Sequence, residues 1–177
     1  REGGILIVDT DAFKTGNLRK AGYESSPLDA EVLASRFQLF KIPITKLTTE
    51  ALAEFKLPTK TVVRCKNFFA LGLVSWLFNR PTEETLVWIG RKFAKVPALV
   101  EANTKAFKTG WNYGETTEAF GTTYTVERAD LEPGLYTSIT GNKALAFGLI
   151  TAAAKAEKPL FYGSYPITPA TDILHEL

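Results

Sequence analysis

Apolar residues fall into short unbroken runs near the amino end and into helical spacings further along. Residues 5–8, Ile-Leu-Ile-Val, form a continuous apolar run between Gly4 and Asp9. That is the pattern of a strand buried on both faces, as in a parallel sheet. Residues 17–21 read as a short helix closed by Gly22, and residues 25–34 as a polar surface connection. Residues 37–44 predict a second strand, limited by Pro43. Thr48 reads as the N-cap of the next helix, with Leu47 and Leu52 placed as a hydrophobic staple. Strand and helix alternate, which predicts an α/β fold.

Residues 67–78 are apolar nearly all round, the mark of a central core helix or of an interface, and Gly72 would let another backbone approach closely. The core reading is the plainer one. Pro81 opens a further helix whose acids, Glu83 and Glu84, suit its positive end and whose Arg91 and Lys92 suit its negative end. Leu86, Ile89 and Phe93 share one face of it. Pro97 opens another, carrying Val100, Asn103 and Phe107, which Gly110 is placed to close.

The pattern changes after residue 114. Residues 115–138 are rich in Thr, Glu and Gly, with Tyr124 and Val126 alternating and Pro133-Gly134 marking a turn. This predicts an extended linker with one edge strand. A new unit begins near Ile139 with a small-residue helix over 141–155, then a strand at Leu160-Phe161-Tyr162 introduced by Pro159. The domain reading is 1–120, linker 121–138, and 139–177.

Composition narrows the classes. The chain has 177 residues, 45% hydrophobic, with 23% charged residues and a net charge of +2. Charge alone points neither to nucleic acid nor to a membrane surface, and no apolar run approaches the roughly 20 residues that span a bilayer. One cysteine, Cys65, excludes an intramolecular disulfide and fits a reducing, cytoplasmic setting. One Cys and one His, His175, argue against a zinc or iron–sulfur site built from this chain alone. Arg1 leads almost directly into a strand and Leu177 follows a helix barely begun, so both ends read as cuts inside a longer protein.

The candidate chemistry concentrates in the loop from Ser164 to Asp172. Pro166 and Pro169 restrict Tyr165 and Thr168 to extended geometry. Thr168 reads as an N-cap with Pro169 at the first helical position, so the N–H groups of Ala170, Thr171 and Asp172 would face a small carboxylate. On the residues alone, Thr168 capping only its own helix is preferred. Asp9 and Asp11 stand at the carboxyl end of the first strand, where a parallel sheet faces its ligands; acids beside a turn are also ordinary caps, the reading favoured here. Arg64 and Lys66 flank Cys65 and could lower its pKa or meet a phosphate, but a solvated basic face is the plainer account. His175 reads as a surface residue.

Residues 140–148, Thr-Gly-Asn-Lys-Ala-Leu-Ala-Phe-Gly, and residues 161–174, with Tyr165-Pro-Ile-Thr-Pro169 at their centre, resemble the start of the alpha subunit of 2-oxoacid:ferredoxin oxidoreductases. The form most similar is the 2-oxoglutarate type, with a gamma domain fused ahead of the alpha region. Residues 3–9, 66–72 and 107–114 resemble the later part of that gamma domain. The resemblance implies a partial Rossmann-like gamma domain, a linker, and the first helix–strand–loop of a thiamine diphosphate pyrimidine-binding domain. It implies oxidative decarboxylation of a 2-oxoacid to an acyl-CoA, with thiamine diphosphate, Mg and iron–sulfur clusters in the complete complex. Coenzyme A would be co-substrate, with a beta subunit and ferredoxin as partners. Tyr165, Pro166, Ile167, Thr168 and Pro169 would form the substrate loop, with Thr168 the polar contact to the 2-oxoacid, and this shifts the loop to a site role.

The family's glycine-rich strand–turn would lie before Arg1, and its thiamine-activating acid after Leu177. The 177 residues are therefore expected to carry no catalytic residue, to bind no cofactor by themselves and to be inactive alone. The alternatives are a non-catalytic assembly module, a pyruvate-specific or other 2-oxoacid-specific relative, and a nucleotide-binding Rossmann protein.

Overall fold

The computed structural model describes residues 2–117, 120–127 and 129–177. Arg1 and three residues of the Thr/Glu/Gly-rich stretch, Glu118, Ala119 and Arg128, lie outside them. The chain divides into two compact units, residues 1–128 and 129–177.

The first unit combines a small parallel sheet with helices, as the α/β expectation requires. Strand β1 (Ile5–Asp9) pairs in parallel with β2 (Gln38–Ile42), with Ile5 opposite Gln38 and Asp9 opposite Ile42. The crossover between them holds two short helices, α1 (Thr15–Lys20) and α2 (Glu31–Arg36). Gly22, at φ 79°, sits just past α1 in the left-handed region that lets a helix stop. The stretch expected as a polar surface connection is more ordered than its composition implies. Ser26 accepts a hydrogen bond from the Leu28 N–H and starts a 3-10 turn, and α2 follows.

Helix α3 (Ile44–Ala51) begins directly after Pro43, so Thr48 is not an N-cap. Thr48 is buried one turn inside the helix, and its hydroxyl donates to the Ile44 carbonyl at 2.7 Å. The expected staple therefore has no helix start to fasten. Helix α4 (Thr59–Leu77) is longer than the apolar stretch that predicted it, and α5 (Glu83–Lys92) and α6 (Pro97–Thr116) follow. Gly110 does not close α6; it lies in the buried face, and the helix continues for six more residues.

Two apolar clusters hold this unit. Ile42, Ile44, Phe69, Leu73, Leu77 and Phe120 form one, against the half-buried Ile5, Ile7 and Trp76. Leu52, Val62, Cys65, Ala102 and Ala106 form the other, beneath Phe68. Phe69 is fully buried while Phe68 and Trp76 are partly covered, so α4 is a core helix. Among the described residues of 115–138 there is no strand. Phe120 instead stacks on Phe40 at 4.2 Å between ring centres, and the Tyr124 N–H donates to the Leu77 carbonyl at 2.7 Å.

In the second unit, α7 (Gly141–Ala156) is capped by Thr140, whose hydroxyl accepts from the Lys143 N–H at 3.3 Å. Helix α8 (Thr171–Glu176) packs against α7 through buried Ala146 and Ile173, with Lys143 and Glu176 paired at 3.0 Å. Residues 160–162 are not a strand: no described segment pairs with them, and Phe161 is 92% exposed. No helix among the described residues is long and apolar enough to cross a membrane.

Candidate functional site

Residues 164–169 form an irregular, solvent-exposed loop ahead of α8. Tyr165 is 81% exposed and Ile167 57%. The loop is tied down from behind. The Asn142 side-chain amide, in the first turn of α7, donates to the Pro169 carbonyl at 2.9 Å. The Thr171 N–H and hydroxyl both donate to the Ile167 carbonyl, at 3.0 and 3.2 Å.

Thr168 is not the N-cap that its place before Pro169 predicts. Helix α8 starts at Thr171 with Ala170 at the cap position and no side-chain cap bond. The Thr171 N–H is satisfied by Ile167, and the N–H groups of Asp172 and Ile173 by Pro169 and Ala170. The bundle of unpaired donors expected at this helix start is therefore largely used within the loop. What remains is the exposed row of side chains, Tyr165, Ile167 and Thr168, on a braced backbone. His175 lies exposed on α8.

A second constellation lies at the carboxyl end of β1. The Asp9 carboxylate accepts the Thr45 hydroxyl at 2.5 Å, the Thr45 N–H at 3.2 Å and the Asp11 N–H at 3.2 Å. Lys66, reaching from α4, places its Nζ 3.1 Å from Asp9 Oδ2 and 3.2 Å from the Thr45 hydroxyl. Asp11 Oδ2 accepts the Lys46 N–H at 2.7 Å. Two acids from the first strand end thus cap α3, satisfying backbone donors that have no acceptor within the helix. Burial pushes the Asp9 pKa up, but hydrogen bonds from the Thr45 hydroxyl and N–H and from Lys66, with that ammonium's charge, outweigh it and hold the carboxyl below its ordinary value. The capping reading of these acids is the observed one.

Cys65 is not an activated thiol. It faces the second apolar cluster, donates weakly to the Thr61 carbonyl at 3.4 Å, and burial pushes its pKa up. Arg64 is exposed, but Lys66 is drawn into the Asp9 pair rather than left on a solvated face. The Thr45 and Lys66 contributions escape sequence reading because their partner lies 36 and 57 residues away. No described group of three or more His, Cys, Asp or Glu residues is arranged to hold a metal ion.

A third feature had no local motif to reveal it. A cleft of about 550 Å³ opens between the α4–α5 turn and α6, lined by Arg80, Glu83, Lys108 and Trp111 among others.

Residues 1–113 match the protein family described as pyruvate ferredoxin/flavodoxin oxidoreductase. The chain is also similar to the 2-oxoglutarate oxidoreductase subunit KorA of Mycobacterium tuberculosis H37Rv, at 49% identity over 175 residues. That alignment covers 99% of this chain and 27% of the relative, so the chain spans about a quarter of that relative's length.

Proposed function

The chain belongs to the pyruvate ferredoxin/flavodoxin oxidoreductase family, and from that premise we propose that it forms part of an enzyme that oxidatively decarboxylates 2-oxoglutarate to an acyl-CoA, with ferredoxin as electron acceptor. The observation that carries the substrate is the 49% identity to a 2-oxoglutarate oxidoreductase subunit across nearly every residue of the chain. In this reading, residues 1–120 are a Rossmann-like gamma domain, 121–138 a linker, and 139–177 the start of a thiamine diphosphate pyrimidine-binding domain. The setting is cytoplasmic, and the partners are a beta subunit and ferredoxin.

Within that frame, Tyr165, Pro166, Ile167, Thr168 and Pro169 form one edge of the substrate site. Support comes from the bracing of this loop by Asn142 and Thr171 and from its exposed side chains. Held this way, the Thr168 hydroxyl can donate to a carboxylate oxygen of the 2-oxoacid while Tyr165 and Ile167 exclude water from one side. Among the described residues no group of acids is arranged to hold the metal of thiamine diphosphate, and the exposed loop offers a single edge of a site. No chemical step is therefore assigned to this chain's residues, and the 177 residues alone are proposed to be inactive.

The test is turnover by the complete oxidoreductase on 2-oxoglutarate, pyruvate and branched 2-oxoacids. A preference for 2-oxoglutarate is expected. A preference for pyruvate, which the family description equally allows, would overturn the substrate assignment. Dye reduction dependent on 2-oxoacid by the isolated 177 residues would overturn the proposed inactivity.

A further inference from the structure

We propose that the cleft between the α4–α5 turn and α6 binds a mononucleotide, with its phosphate on Arg80 and Lys108 and its base against Trp111. The volume, about 550 Å³, falls within the range of small-ligand sites. Its floor is apolar, from Leu86 and buried Phe107, and Trp111 adds an aromatic surface. An indole wall favours a flat ring, which it can hold by stacking.

The charges select the rest of the ligand. Arg80 and Lys108 both line the cleft, and neither forms an ion pair with a described residue. A guanidinium fork and an ammonium lining one cleft suit a phosphate dianion better than a single carboxylate. Glu83 lines the same cleft and would repel a ligand that was only an anion. A ribose removes that objection, because its hydroxyls donate to a carboxylate while the phosphate sits on the cations. Phosphate, hydroxyls and flat ring together define a mononucleotide. The backbone at the turn is itself fixed: Asn79 adopts φ 46°, and the Arg80 N–H donates to the Ser75 carbonyl at 2.7 Å. The Arg80 backbone is thus tied to the last turn of α4. The site lies wholly in the first unit and does not depend on the 2-oxoacid reading.

The test is calorimetric titration of the protein with adenosine 5′-monophosphate, with adenosine and with inorganic phosphate, repeated for Arg80→Gln and Lys108→Gln. Both side chains are exposed, so the variants should melt with the parent. Saturable binding of the nucleotide is expected, tighter than that of either adenosine or phosphate, and weakened about tenfold or more in each variant. Absence of saturable nucleotide binding, an affinity unchanged in either variant, or phosphate binding as tightly as the nucleotide would each overturn the assignment.

Discussion

The Phe107 carbonyl oxygen lies only 1.9 Å from where a Cβ on Gly72 would stand. The contact is answered one turn further along α6, where a Cβ on Gly110 would come within 1.9 Å of the Phe69 carbonyl oxygen. Helices α4 and α6 therefore meet backbone to backbone, each supplying the glycine that admits the other. The obstruction is main chain, which cannot swing aside as a side chain could.

Gly72→Ala and Gly110→Ala should each destabilise the first unit by about 1–3 kcal/mol or more, because the helices must separate to admit the methyl. Gly90→Ala is the contrast. Its Cβ would meet nothing within 4 Å in the last turn of α5, so the change should be neutral or stabilise by up to about 0.5 kcal/mol. Urea unfolding measures all three, and a neutral Gly72→Ala would contradict the close approach.

Asp9 should make stability depend on acid. Its folded pKa lies below the unfolded value, so the contribution is complete above the ordinary carboxylate range and is lost as pH falls through the folded value. Asp9→Asn should cost about 1–3 kcal/mol at neutral pH, since Lys66 loses its partner, and should flatten the acid limb of the stability curve. Unfolding midpoints between pH 7 and pH 3 for parent and variant test this. Parallel curves would rule it out.

Cys65 should resist alkylation in the folded protein. The thiol is 2% exposed and its pKa is raised, so little thiolate is presented to a reagent. Labelling by iodoacetamide should be slow in buffer and rapid in denaturant. Equal rates in both would show that the second apolar cluster is open.

Thr168→Ala should separate site from scaffold. Because the side chain is exposed, stability should stay within about 0.5 kcal/mol of the parent. In the complete oxidoreductase, kcat/KM for 2-oxoglutarate should fall about fivefold to tenfold if the hydroxyl meets the substrate. Unchanged kinetics would remove Thr168 from the site.

The sequence was most legible where structure is local. The apolar run at Ile5–Val8, the stop at Gly22 and the core helix around Phe69 each follow from neighbouring residues. It misled where distant groups take over a local task. Thr48, followed by Thr49 and Glu50, resembles a helix start, yet α3 begins four residues earlier because Asp9, at the end of β1, and Asp11, in the turn after it, cap its first residues. Gly110 reads as a stop because nothing nearby discloses that Phe69 presses against it. Thr168 fits the form of a cap, but the Ile167 carbonyl takes the Thr171 N–H and α8 starts later. The cleft at Arg80, Lys108 and Trp111 is assembled from a turn and a separate helix, so no contiguous motif could mark it.

The Asp9 contacts also bear on how the two strands find their alignment. Asp9 lies opposite Ile42 in the parallel pair, and Thr45 follows three residues beyond Ile42. Sliding β1 by one residue would move the carboxylate by about 3.3 Å and turn it to the other side of the sheet. Thr45 and Lys66 would then lose their acceptor together. The polar cluster thus serves as a latch on strand register: an apolar run such as Ile5–Val8 could slide with little change in burial, but its terminal acid fits only one position.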